Sequence, residues 1–259
     1  MLDVSLHFLG TGTSAGVPMI GCDCVTCTSD DPRDKRMRCS VVISYGNTSV
    51  LVDTTPELRL QAIDNGVKRI DAVVYTHAHA DHIMGLDELR RFNSIKGGPL
   101  DVHVDREHFE VINSCFAYAF REPDPNAGVY RPYLIPNFID GDFDIDGVTW
   151  RPIPLLHGSM PILGFRVGNL AYCTDVSEIP PHSWAKLRGL DVLVLDALQW
   201  RKHPTHFNIE EALEVVQRLQ PRRTLFTHLA HGVLYERDQP KLPPGVEFAV
   251  DGQRVVSRS

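Results

Sequence analysis

The chain has 259 residues, 43% hydrophobic and 23% charged, an ordinary make-up for a globular enzyme with a sizeable core. A formal net charge of −7 argues against a general grip on a phosphate backbone, and so against nucleic acid as the partner. No apolar run reaches the ~20 residues that cross a bilayer, and Met1-Leu2-Asp3-Val4 lacks the basic start of a signal peptide, so a cytoplasmic setting without a membrane partner is expected.

In chain order, residues 4–9 read as a strand closed by the Gly-rich turn 10–16. Its G-x-G-x-x-x-G spacing, followed by cysteines rather than a helix, suits a tight turn better than a dinucleotide fingerprint. A cysteine-rich loop over 21–39 precedes strands at 40–45 and 49–52, joined by Gly46-Asn47. Thr55-Pro56-Glu57 predicts a capped helix start and Gly66 its end. A strand at 72–75, a short helix at 87–93 and a strand at 102–104 follow. Residues 114–138, with Phe116, Tyr118, Phe120, Tyr130, Tyr133 and Phe138, form the least regular stretch. They read as an aromatic insertion that either covers its own small core or walls a base or sugar. Strands are expected at 148–153, 164–167, 170–174 and 192–195. A capping-box helix then runs from Asn208 to Leu219, and a buried strand occupies 224–227. With no repeat or linker, one α/β domain over 1–259 is expected.

The densest chemistry lies in Thr76-His77-Ala78-His79-Ala80-Asp81-His82, three histidines and an aspartate within six residues directly after an apolar strand. Imidazole nitrogens and carboxylate oxygens are the ligands that Zn²⁺, Mn²⁺ and iron ions take. A histidine-rich surface turn would account for one pair, not for H-x-H-x-D-H. His157, Asp175 and His228 each follow a predicted strand, and Asp53 ends another. A lone histidine after a strand is usually packed or solvated. Recurrence at successive strand ends is how an α/β scaffold gathers a ligand set.

With Asp53, His77, His79, Asp81, His82, His157, Asp175 and His228 in this order, the chain resembles the metallo-β-lactamase-fold hydrolases over most of its length. The resemblance implies a four-layer αβ/βα sandwich with the site at one edge between two sheets. It also implies one metal on His77, His79, His157 and Asp175 and a second on Asp81, His82, Asp175 and His228. Asp175 would bridge the two, and Asp53 would orient the histidine loop. Two catalytic divalent ions, Zn or Mn, about 4 Å apart would share a hydroxide and clamp a phosphate or carboxylate. The β-lactamases proper usually place Cys where Asp175 stands. Glyoxalase-type thioesterases carry a helical C-terminal domain, for which too little chain follows His228. Neither activity is expected.

Six cysteines are present, and Cys22-Asp23-Cys24-Val25-Thr26-Cys27 groups three of them as C-x-C-x-x-C, which suits a tetrahedral Zn²⁺ site better than three unrelated core thiols. The loop lacks a fourth ligand. In Thr227-His228-Leu229-Ala230-His231, His228 belongs to the first cluster and His231 remains free. An early C-x-C-x-x-C and a late T-H-x-x-H, with Leu9-Gly10-Thr11-Gly12 and Gly16-Val17-Pro18 ahead of the cysteines, is similar to the PhnP-like phosphodiesterases, in which this zinc is structural. Cys39, Cys115 and Cys173 match no pattern and read as small buried hydrophobes.

Phosphodiester cleavage releases an alkoxide that needs a proton. The PhnP-like resemblance gives that task to His206, beside Asp81 as the catalytic metal ligand. His203 in the same loop suits it nearly as well. Relatives often carry an acidic residue two positions beyond the histidine; here Asn208 stands there, so a charge partner is missing. The function expected is a two-metal phosphodiesterase acting on small, cyclic phosphodiesters of ribose or nucleotides. One alternative is a tRNA 3′-processing nuclease, which shares the motifs but carries a long Gly/basic arm not visible here. The other is a PqqB-like coenzyme-biosynthesis protein, which shares the early cysteines. The expected partner is a small phosphodiester substrate, and a homodimer stays open.

Overall fold

The computed structural model describes residues 3–122 and 130–258. One sheet contains β1 (Val4–Gly10), β2 (Ser40–Tyr45), β3 (Thr48–Val52), β4 (Ala72–Val74), β5 (Leu100–Val104) and β6 (Leu134–Phe138). The other contains β7 (Phe143–Ile145), β8 (Val148–His157), β9 (Met160–Val167), β10 (Leu170–Cys173), β11 (Val192–Asp196), β12 (Arg223–Thr227) and β13 (Val246–Phe248). The last strand, β14 (Arg254–Ser257), returns to the first sheet and pairs antiparallel with β1. Spatial order is β14-β1-β2-β3-β4-β5-β6 in one sheet and β13-β12-β11-β10-β9-β8-β7 in the other.

Helices cover the outer faces. α1 (Leu58–Asp64), α2 (Ala80–Ile83), α3 (Leu89–Lys96) and α4 (Arg106–Phe116) lie between β3 and β6 in the chain, and α5 (Ile209–Leu219) and α6 (Tyr235–Asp238) follow β11 and β12. The alternation of each strand dictates the layers. In β11, Val192 and Val194 point into the core between the sheets, with Val52, Val74 and Phe165. Leu193 and Leu195 point outward against Ile209, Ala212 and Val215 of α5. A strand buried on both faces reads as an unbroken apolar run, as Val-Leu-Val-Leu does. On the first sheet, Leu51, Val73 and Val102 face Leu58, Ile83, Phe92 and Ile112 of α1 to α4. Each such fully buried side chain contributes roughly 1.5–3 kcal/mol. The result is the four-layer αβ/βα sandwich that the motif resemblance implied. No helix among the described residues is long and apolar enough to cross a membrane.

Strands β3 to β6 run parallel, as do β10 to β13. Parallel strands joined by crossover helices present their C-terminal ends at one edge, which is where a site assembles.

Several local expectations need correction. α1 begins at Leu58, with Glu57 at its cap and no side-chain cap bond. Thr55 instead donates its hydroxyl to Gln61 Oε1 at 2.8 Å. β8 continues past Pro154 to His157, because beyond Trp150 β9 is the one strand beside it and the bridge on its other side joins Leu156 to Glu178, so Pro152 and Pro154 leave no ladder bond unmade. Within the segment 114–138, the described residues hold the end of α4, a 3₁₀ turn at Ala117–Phe120 and edge strand β6. The part of that segment over 123–129 lies outside the described residues. Cys115 is exposed rather than buried. Strands β6, β7, β13 and β14 and helices α2, α4 and α6 are not expected from the sequence. They are short, or polar at alternate turns, and carry no strong period.

Candidate metal centres and active site

Every strand of the two parallel groups that reaches the site ends in a functional side chain. Asp53 follows β3, the histidine loop follows β4, Asp175 follows β10 by two residues, Asp196 closes β11 and His228 follows β12. Three of these, Asp53 (φ 63°), Asp175 (φ 59°) and His228 (φ 59°), adopt the left-handed backbone conformation. That turn swings the side chain off the pleat, at about 1–2 kcal/mol per non-glycine residue.

The ligand atoms of Asp81, His82, Asp175 and His228 all lie within 4.8 Å of one another. His82 Nε2 stands 3.3 Å from Asp81 Oδ2 and 3.4 Å from Asp175 Oδ1, and His228 Nε2 stands 3.2 Å from Asp175 Oδ2. The second group approaches Asp175 Oδ2, the oxygen that His228 also reaches. His77 Nε2 is 4.0 Å from Asp175 Oδ2, and the rings of His77, His79 and His157 pack with centroids 4.7 to 5.8 Å apart. His77, His79 and His157 thus pack beside the Asp81, His82, Asp175 and His228 group, and His157 shares its close ligand-atom grouping with Asp175 and His206.

Outer partners fix the imidazoles. Asp53 Oδ1 accepts from the Thr76 amide at 2.8 Å, and Oδ2 accepts from the Thr76 hydroxyl and from His82 Nδ1, each at 2.8 Å. With its proton given to Asp53, the Thr76 oxygen accepts from His77 Nδ1 at 2.9 Å. His157 Nδ1 donates to the Thr205 carbonyl at 2.6 Å. Each arrangement places the ring proton on Nδ1 and leaves the Nε2 lone pair for a cation. Burial lowers the basicity of His77, His79 and His157, which favours the neutral, ligating form. Burial also presses on Asp175 and Asp81, but His228 and His82 outweigh it and hold both carboxyls well below their ordinary range.

The donor set fits divalent metal. His77 Nε2, His82 Nε2 and both nitrogens of His228 are buried without a hydrogen-bond partner. Among the described residues, the buried carboxylate of Asp175 forms ion pairs with histidines alone. Buried anions without Lys or Arg need a cation from elsewhere.

His206 lies against this cluster, its ring 4.5 Å from that of His157 and stacked 4.7 Å over that of His228. Its partner is one that sequence reading missed. Asp196 Oδ2 accepts from His206 Nδ1 at 2.7 Å, so the end of β11 supplies the carboxylate that Asn208 does not. Burial raises the Asp196 carboxyl and lowers His206, so both shifts favour the uncharged pair. Asn208 caps α5 in a full capping box with Glu211. His203 is exposed, with Nδ1 beside the Thr205 hydroxyl at 3.2 Å. A signal for Asp196 was present, an acidic residue ending an apolar run as Asp53 does, but it had no motif around it. A second unforeseen pair sits after β5, where Asp105 accepts from His108 Nδ1 at 2.6 Å and the His108 ring lies 6.3 Å from that of His77.

The cysteine loop meets the C-terminal half of the chain as expected. His231 Nδ1 lies 3.2, 3.4 and 3.8 Å from the sulfurs of Cys22, Cys24 and Cys27. A tetrahedral zinc with Zn–S and Zn–N bonds of about 2.3 and 2.0 Å has nitrogen–sulfur edges of roughly 3.5 Å. The Cys27 amide pulls the Cys24 thiol down to about 6, toward the thiolate that zinc requires.

This fold is that of the metallo-β-lactamase superfamily, and residues 48–229 match the model of the beta-lactamase superfamily domain, the family to which the chain belongs. Within that superfamily it is a member of the PhnP family. The crystal structure of a new diphosphatase from that family superposes with a TM-score of 0.92 and 40% identity, covering 99% of this chain and 98% of the other. Zn²⁺-bound PqqB from Methylobacterium extorquens shares the fold (TM-score 0.77, 19% identity, 97% and 99% covered). An octanoyltransferase of Porphyromonas gingivalis (strain ATCC BAA-308 / W83) is 34% identical over 251 residues, 96% of this chain. The chain spans 50% of that protein's length.

Proposed function

We propose that the protein is a two-metal phosphodiesterase that hydrolyses small phosphodiesters with poor leaving groups, cyclic phosphates of ribose or nucleotides foremost. In this reading His77, His79, His157 and Asp175 hold one ion, and Asp81, His82, Asp175 and His228 the other. A structural zinc sits on Cys22, Cys24, Cys27 and His231, Asp53 orients the histidine loop, and the setting is the cytoplasm. The observation that carries it is the buried Asp196–His206 pair set against the ligand cluster. Activated esters leave unaided, whereas an alkoxide needs a positioned acid.

When bound, the two ions supply a water that attacks at neutral pH and positive charge against the phosphate oxygens. The side chains do the rest. Asp53 and Thr76 keep the Nε2 atoms of His77 and His82 aimed inward. Asp196 holds the Nδ1 proton of His206, so the ring acts as an acid once Nε2 has taken up a second proton, and that proton is the one it delivers to the departing oxygen. His203 is too exposed and lacks a carboxylate to hold it, so His206 is the acid in this reading.

A second reading is favoured by the 40% identical relative described as a diphosphatase: the scissile bond is a phosphoanhydride, whose phosphate leaving group needs less help from an acid. One panel separates the two. His206→Ala should cost about 10²–10⁴-fold on a ribose cyclic phosphate and much less on bis(p-nitrophenyl) phosphate. A dinucleotide diphosphate turned over far faster than any cyclic phosphate, with little loss in His206→Ala, would replace the first reading with the second. Robust β-lactam or thioester turnover without phosphodiester cleavage would sink both.

A further inference from the structure

Cys39 lies at the foot of β2, fully buried between the two sheets, and no metal or disulfide claims it. Its surroundings are not those of a packed hydrophobe. Sγ is 3.1 Å from the Thr227 hydroxyl, 3.2 Å from the Tyr172 hydroxyl and 3.5 Å from the Thr174 hydroxyl. Tyr172, Thr174 and Thr227 are all buried, and each belongs to the second sheet or its edge, whereas Cys39 belongs to the first. Thr174 and Thr227 immediately precede Asp175 and His228, two of the residues whose backbone is held in the left-handed region.

We propose that Cys39 is a positioning residue for the dinuclear centre: its thiol fixes the hydroxyls of Thr174 and Thr227 and thereby the two metal ligands that follow them. The proton count supports one arrangement. The Thr174 hydroxyl has a single proton and gives it to Asp175 Oδ1 at 2.7 Å, since a carboxylate is a far stronger acceptor than sulfur. The Thr174 oxygen is then free to accept the thiol proton. Tyr172 and Thr227 in turn donate to sulfur, which is the only partner either hydroxyl has among the described residues. The chain Tyr172/Thr227 to Cys39 to Thr174 to Asp175 is satisfied at every step, and removing sulfur leaves two buried hydroxyls without a partner. Freed hydroxyls turn toward the nearest strong acceptor or let their strands relax. Both outcomes loosen the strained ends that aim Asp175 and His228.

The inference rests on reading the cluster as a metal centre and not on the reaction it catalyses. Cys39→Val keeps the volume and removes the hydrogen bonds; Cys39→Ser keeps the bonding pattern. Zn²⁺ affinity of both centres would be measured in the full chain by chelator competition. Co²⁺ replacement distinguishes them, because only the cysteine site shows sulfur-to-cobalt charge transfer. Loss of outer partners typically lowers metal affinity 10–100-fold. Cys39→Val should weaken the dinuclear centre by that factor and alter its Co²⁺ ligand-field spectrum, while the cysteine site is unchanged and Cys39→Ser recovers most of the loss. Wild-type affinity in Cys39→Val overturns the proposal. So does an equal loss at both centres, or a loss that serine does not recover, because these mark general unfolding or simple packing. Failure of the wild-type cluster to bind Zn²⁺, Mn²⁺ or Co²⁺ would overturn the metal reading itself.

Discussion

Asp53→Asn isolates the contribution of an outer carboxylate, because it keeps the shape and changes only what each atom can accept. Asp53 Oδ2 accepts from both the Thr76 hydroxyl and His82 Nδ1, and Oδ1 accepts from the Thr76 amide. An asparagine carbonyl can take only one side. If it faces the Thr76 amide, its NH₂ meets two donors. His82 must then move its proton to Nε2, and Thr76 must turn its hydroxyl toward His77, forcing that ring to do the same. Both lone pairs aimed at the cluster are lost. If the amide is reversed, its NH₂ opposes the buried Thr76 amide, an unsatisfied contact of about 1–3 kcal/mol. The expected loss is 10–100-fold in metal affinity, which is about 1.4–2.8 kcal/mol. Chelator competition reads the affinity directly. The gain in unfolding free energy on adding Zn²⁺ to chelator-treated protein should shrink by the same amount. An Asp53→Asn protein with wild-type affinity at the dinuclear centre would refute the argument that Asp53 sets the tautomers of His77 and His82.

Three further outcomes are expected. Purified protein never exposed to chelator should contain up to three metal ions, and Cys24→Ser should lower Tm by several degrees, about 2–4 °C per kcal/mol lost in a chain of this size, while activity per folded molecule changes little. The opposite pattern would place the cysteine site in catalysis. Asp251 accepts from the Thr11 hydroxyl and the Met37 amide, each at 2.7 Å, yet burial pushes its carboxyl up to about 6. A raised folded-state value means that the native state holds this proton more tightly than the unfolded chain. The contribution is therefore full below about pH 4 and is lost as pH rises through about 6, worth roughly 3 kcal/mol. Denaturant unfolding of wild type and Asp251→Asn from pH 3.5 to 7 should differ by that slope; parallel curves would exclude it.

Much of this site was legible because metal ligation needs particular atoms at fixed reach. H-x-H-x-D-H, His157, Asp175 and His228 stand out against strands whose apolar runs are continuous, and they lie together at one edge of the sheets. The C-x-C-x-x-C loop and His231 were equally plain, although 204 positions separate Cys27 from that histidine. What escaped were contacts whose partners carry no local signature. Asp196 is one aspartate ending a strand, and only the fold brings it to His206. Cys39 looked like any small apolar residue because nothing in the neighbouring sequence reveals that three hydroxyls from the other sheet converge on it. β8 was cut short at a proline that matters only in a strand flanked on both sides, and which strand flanks which is a long-range fact. The helix at Arg106–Phe116 has an aspartate cap, Asp105, but its apolar face is thin and its neighbours are aromatic.

Among the described residues the two sheets meet mainly through side chains, with a few backbone bonds such as Leu229 to Thr11 and Leu163 to Thr76, and both candidate metal centres straddle the seam between them. His77, His79, Asp81 and His82 come from the first sheet, and His157, Asp175 and His228 from the second; the cysteines and His231 repeat that division. An ion at either place acts as a cross-link between halves that are far apart along the chain, Cys22 and His231 being 209 residues apart. Loading the centres therefore ties the two halves into one cooperative unit. Amide protons of both sheets should then exchange with solvent only through a shared, rarer opening, whereas without the ions each half is free to open by itself.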